Sequence, residues 1–79
     1  MKLYSLCFRT LADMLGAVQF LSAQRPGKIE VYTDSVPQIT FAARGNALGV
    51  DLAFFLNDNG IRATWIREGD PVEETTWKA

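Results

Sequence analysis

The chain has 79 residues, of which 48% are hydrophobic and 22% charged, with one cysteine and no histidine. This length and hydrophobic content predict a single folded domain over residues 1–79 and exclude a disordered chain. The absence of histidine excludes histidine-based catalytic triads and metal sites. One cysteine cannot form an internal disulfide, which favours a cytoplasmic location, and no apolar run reaches the roughly 18 residues of a membrane span.

The net charge of −1 hides an uneven distribution along the chain. Residues 1–50 hold five basic and three acidic side chains, whereas residues 51–79 hold three basic and six acidic ones. Four of these acids lie close together, at Glu68, Asp70, Glu73 and Glu74. We interpret them either as a solvated turn and tail or as a patch that attracts a partner with a basic surface. Direct nucleic-acid binding is not expected, because domains that bind nucleic acid usually carry clustered Lys and Arg.

The first elements follow from hydrophobic periodicity. Residues 2–9 alternate in strand fashion, which predicts a strand with Tyr4, Leu6 and Phe8 on one face. Thr10, with Asp13 three residues later, resembles a capping box and starts a predicted helix over 11–24. The core stripe of that helix is predicted to consist of Leu11, Met14, Leu15, Val18 and Leu21.

The rest of the chain repeats these patterns. Two strands, a helix and another strand are predicted over 28–34, 38–44, 47–57 and 61–67. Asn46 is a good N-cap for this second helix. The segment 68–71, Glu-Gly-Asp-Pro, has the chemistry of a turn, and 72–78 could return as a short fifth strand.

The order β-α-β-β-α-β predicts an α+β fold of the ferredoxin-like type, with an antiparallel sheet and both helices on one of its faces. RNA-recognition domains of this topology stack bases on aromatic residues of the central strands. The corresponding positions here hold no aromatic residue, since they are Ser5, Cys7, Thr40 and Ala42.

No pattern of reactive residues indicates catalysis. Cys7 has no histidine to activate it, and the carboxylates lack the spacing of a calcium loop. The glycine-bearing loop 44–49 either holds an anion at the start of the second helix or forms a plain strand-to-helix turn. We therefore predict a non-enzymatic protein with no cofactor and no metal.

The apolar residues outside the predicted core are the most informative ones. Phe20, Val50 and Phe54 lie off the helical stripes, Tyr32 and Ile66 lie on the open sheet face, and Trp77 lies near the C-terminus. Such a surplus favours a binding surface for a protein partner or for a second copy of the chain. The predicted partner-binding residues are Glu68, Asp70, Glu73, Glu74, Trp77, Tyr32, Phe20 and Phe54.

Two resemblances complete this interpretation. Residues 45–66 resemble the helix–strand half of ACT-type regulatory modules, through a pattern formed by Leu52, Ala53, Leu56, Gly60 and Ile61. That resemblance implies a domain that senses a small ligand. However, the Arg-Pro-Gly segment 25–27 follows the first helix and not the first strand, so no ligand site carries over.

The whole chain is also similar in size, acidity and elements to small phage-encoded inhibitors of the anti-CRISPR type. That resemblance implies a non-catalytic protein that binds a host nucleoprotein complex and blocks its nucleic-acid binding or recruitment. No residue carries over from it. We take the inhibitor as the leading hypothesis and the ACT-like sensor as the alternative.

Overall fold

The computed structural model describes residues 1–24 and 28–73. Its elements are β1 (Lys2–Phe8), α1 (Leu11–Gln24), β2 (Ile29–Tyr32), β3 (Gln38–Ala43), α2 (Ala47–Asp58) and β4 (Ala63–Pro71). The four strands form one antiparallel sheet in the order β2-β3-β1-β4. This arrangement is the predicted α+β fold of the ferredoxin-like type.

The core lies between the sheet and the two helices. Leu6 of β1, Ile39 and Phe41 of β3, Leu21 of α1 and Leu52 of α2 are all fully buried there. Alternation along the strands places Leu6, Ile39 and Phe41 on one face of the sheet, because successive residues of a strand point to opposite sides. Burial of each large apolar side chain contributes about 1.5–3 kcal/mol to stability.

The buried side of α1 differs from the predicted stripe. Leu11 and Leu15 are each 50% exposed, although the sequence predicts them in the core. The helix instead turns Phe20 towards α2, where its ring stacks on that of Phe55 with centroids 4.5 Å apart. The small residue Ala17 is completely buried beneath the helix. Packing against the neighbouring helix therefore decides which side of α1 is buried.

Strand β4 extends further towards the C-terminus than the predicted strand 61–67. The predicted turn at 68–71 is wrong, because β4 runs through this segment and pairs Pro71 with Lys2 of β1. Gly69 adopts a φ of 85°, a conformation that glycine tolerates, at an irregularity in the pairing. The backbone N–H of Val72 then donates to the carbonyl of Met1 at 3.0 Å. Most of the predicted fifth strand lies outside the described residues.

The start of α2 confirms its prediction in part. Asn46 is the N-cap residue of α2, but its side chain makes no capping hydrogen bond to the helix. Its side-chain oxygen instead accepts a hydrogen bond from Lys2 Nζ at 2.8 Å. By contrast, Thr10 Oγ1 accepts the backbone N–H of Asp13 at 3.1 Å, which confirms that half of the predicted capping box.

Candidate protein-interaction surface

The acidic residues of the C-terminal segment do not all lie on one side of the sheet. Glu68 pairs with Tyr4, whose side chain faces the helices, whereas Asp70 pairs with Leu3 on the opposite face. Gly69 stands between them at the pairing irregularity, so these two acids emerge on different sides. Glu73 is exposed beyond the end of β4. Glu74 and Trp77 lie outside the described residues.

The three predicted aromatic anchors have different environments. Phe54 is 64% exposed, in keeping with its predicted position away from the core. Tyr32 is exposed on the open sheet face. The prediction that Phe20 lies outside the core is wrong, because its ring is half-buried and packs against the core beside Phe55. Phe54 therefore offers the largest exposed aromatic surface on the helices.

Phe54 belongs to a ridge on the outer side of α2, which we call the α2 ridge and define as Val50, Asp51, Phe54 and Asp58. Val50 is 50% exposed and precedes Phe54 by four residues, so the two side chains lie one above the other. Asp51 and Asp58 are exposed and flank the two apolar side chains. The α2 ridge therefore combines an apolar centre with an acidic border.

Charge on the helices has one sign only. Residues 11–24 and 47–58 contain Asp13, Asp51 and Asp58 but no lysine or arginine. The basic residues of the described chain therefore lie on the strands and loops. This separation is also visible in the sequence, because the predicted helices 11–24 and 47–57 contain two aspartates and no basic residue.

A recess of about 320 Å³ separates the α2 ridge from β4, and Gly49, Val50, Ala53, Trp65 and Glu68 line it. Glu68 adds a carboxylate to the acidic border of the ridge. The indole of Trp65 is half-buried and meets the ring of Tyr4 edge to face, with centroids 6.2 Å apart. An apolar side chain of a partner could therefore insert beside the packed rings of Trp65 and Tyr4.

The open sheet face carries a different, more polar surface. The Tyr32 hydroxyl donates to Glu30 Oε1 at 2.8 Å, and Lys28 Nζ lies 3.2 Å from Glu30 Oε2. The hydrogen bond from Tyr32 and then that from Lys28 lower the pKa of Glu30, and the same Glu30 contact raises the pKa of Tyr32. The phenol of Tyr32 is thus already engaged within the chain.

The remaining candidates for chemistry have ordinary surroundings. Cys7 is half-buried, and its Sγ lies 3.8 Å from Gln38 Oε1. In the 44–49 loop, the carbonyl of Gly45 accepts a hydrogen bond from the Tyr4 hydroxyl at 3.1 Å. Among residues 1–24 and 28–73, no three His, Cys, Asp or Glu side chains are grouped as a metal site requires.

The chain matches none of the protein-family models, curated proteins or solved structures with which it was compared. Neither α1 nor α2 has the length and hydropathy needed to cross a membrane.

Proposed function

We propose that this chain is a non-catalytic protein-interaction module that binds a basic protein surface through the α2 ridge. The observation that carries the proposal is the 64% exposure of Phe54 between Asp51 and Asp58, on a helix without a basic residue. Aromatic residues, phenylalanine included, are enriched at protein interfaces, whereas a largely exposed phenylalanine contributes little to the stability of the isolated domain.

The two parts of the ridge make separate contributions. Burial of the Phe54 side chain against a partner contributes about 1.5–3 kcal/mol, and Val50 adds to the same apolar contact. The carboxylates of Asp51, Asp58 and Glu68 attract basic side chains, which raises the association rate and makes binding sensitive to salt. A partner with lysine or arginine around an apolar recess is complementary to this surface.

The partner class follows from the same complementarity. Surfaces that bind nucleic acid are rich in Lys and Arg, because they neutralise phosphates. We infer that the partner is a host nucleoprotein complex and that the chain is an inhibitor of the anti-CRISPR type, encoded by a phage or another mobile element. By covering a basic surface, the chain would block nucleic-acid binding or recruitment of a further component.

An affinity-capture experiment tests the surface. The wild-type chain and a Val50→Ser/Phe54→Ser variant are immobilised and exposed to a lysate of a host with an active CRISPR system. We expect capture of a nucleoprotein complex by the wild type, release at high salt, and loss of capture in the variant. Ile66→Ser is the matched control, because Ile66 is 52% exposed, much like Val50, but lies in β4 and lines the groove on the open sheet face.

Phage plating on that host provides the functional readout. Expression of the wild type should restore plaque formation by a targeted phage, and the ridge variant should not. Equal activity of the folded ridge variant would contradict the proposal. Light scattering tests a second copy of the chain as the occupant of the ridge: a dimer that Val50→Ser/Phe54→Ser converts to a monomer would assign the surface to self-association.

A further inference from the structure

Two arginines that are far apart in sequence, Arg9 and Arg62, lie at the same end of the sheet. The last registered pair between β1 and β4 joins Phe8 with Ala63. Arg9 directly follows the end of β1 and Arg62 directly precedes the start of β4, so both arginines lie just beyond this end of the pairing.

Both arginines line the same cavity, of about 530 Å³, together with Cys7, Val36 and Thr64. No acidic residue lines this cavity. Within the described part of the chain, neither Arg9 nor Arg62 forms an ion pair or a side-chain hydrogen bond. Both residues are exposed, so their guanidinium groups are available to a ligand.

Two positive charges that line one cavity repel each other. Ion pairs with carboxylates would offset this repulsion, but neither arginine forms one within residues 1–24 and 28–73. A bound anion would offset it equally well. Guanidinium groups suit this task, because their planar donors bind two oxygens of a phosphate at once.

We propose that Arg9 and Arg62 form a binding site for the phosphate group of a small ligand, with the Thr64 hydroxyl as a further donor. Two guanidinium groups balance about two negative charges, which fits a phosphate monoester or a diphosphate esterified at both ends. A nucleic-acid strand is not favoured, because two phosphate contacts are too few for stable binding at physiological salt. The site shares no residue with the α2 ridge, so the proposal does not depend on the function proposed above.

Cys7 supplies a reporter, because it is the single cysteine of the chain and is half-buried in the wall of this cavity. The rate of its modification by an uncharged disulfide reagent is measured with increasing pyrophosphate at constant ionic strength. We expect pyrophosphate to protect Cys7 in a saturable way. The concentration that gives half of the maximal protection should be at least about tenfold higher in Arg9→Gln and in Arg62→Gln, because each variant loses a charge-assisted contact. Arg67→Gln is the matched control, because it removes the same charge from an exposed position of β4 outside this cavity.

Isothermal titration of the wild type with pyrophosphate and with inorganic phosphate gives a measurement that does not depend on the thiol. Heat that saturates in the wild type and in Arg67→Gln, but not in Arg9→Gln/Arg62→Gln, would support the site. Equal protection by chloride, equal binding by the folded double variant, or no saturable binding of either anion would overturn it. Thermal unfolding confirms that each variant is folded before it is used.

Discussion

The ring of Tyr4 lies directly beneath Gly49 of α2, so close that a Cβ atom at position 49 would come within 2.6 Å of Tyr4 Cε2. The ring cannot readily move away. It is stacked on Phe41, with centroids 5.1 Å apart, and its hydroxyl donates to the carbonyl of Gly45. Gly49 therefore sets the distance between α2 and the sheet, and with it the position of the α2 ridge.

Gly49→Ala is expected to destabilise the protein. Alanine favours a helix over glycine by about 1 kcal/mol, but overpacking against a fixed buried ring costs about 1–3 kcal/mol, so a net loss is expected. Gly16→Ala is the matched control in α1, where the added Cβ would lie 3.4 Å from the flexible end of the Ile61 side chain. Urea unfolding should show a loss of stability for the first variant and no loss for the second. Equal effects would contradict the tight contact.

The hydroxyls of Ser5 and Thr40 form a buried hydrogen bond of 2.9 Å between β1 and β3. Ser5→Ala or Thr40→Val leaves the partner hydroxyl buried without a hydrogen bond, which costs about 1–3 kcal/mol. The double variant removes both polar groups and should lose less stability than the sum of the two single variants. Urea unfolding of all four proteins gives the coupling, and strict additivity would mean that the two hydroxyls do not depend on each other.

The contrast between Phe20 and Phe54 can be measured directly. Phe20 stacks on Phe55, so Phe20→Ala should lower the free energy of unfolding by about 1–3 kcal/mol, less than a fully buried phenylalanine would lose. Phe54 is 64% exposed, so Phe54→Ala should change stability by less than about 0.5 kcal/mol. Thermal or urea unfolding distinguishes the two. A large loss for Phe54→Ala would place that ring in the core and remove it from the proposed binding surface.

The titration of Glu30 should depend on Tyr32. The hydrogen bond from the Tyr32 hydroxyl holds the pKa of Glu30 below its ordinary value, so Tyr32→Phe should raise that pKa. Because a lowered folded-state pKa stabilises the fold above the unfolded-state pKa, this contribution is lost as the pH falls through the folded-state value. NMR titration of the Glu30 carboxyl measures the shift. An unchanged pKa in Tyr32→Phe would show that the hydroxyl does not bind Glu30 in solution.

Local patterns in the sequence are enough to predict the order of the elements and the fold class. Alternation in 2–9 and helical spacing in 11–24 are local patterns, and a strand or helix needs only its own residues to produce them. The same patterns predict which side chains of β1 point towards the helices, since Tyr4, Leu6 and Phe8 do face them. A local pattern, however, says little about what lies beside an element.

Features that depend on contacts between elements could not be predicted from local patterns. Phe20 packs against Phe55 of α2, and with this side of α1 turned inwards Leu11 and Leu15 are exposed. Pairing with β1 converts a segment with turn chemistry into strand, because a ladder of backbone hydrogen bonds outweighs weak local preferences. The same pairing brings Arg9 and Arg62, which are 53 positions apart in sequence, to the lining of one cavity. No local periodicity predicts this proximity, because it arises only when two strands that are far apart in sequence pair with each other.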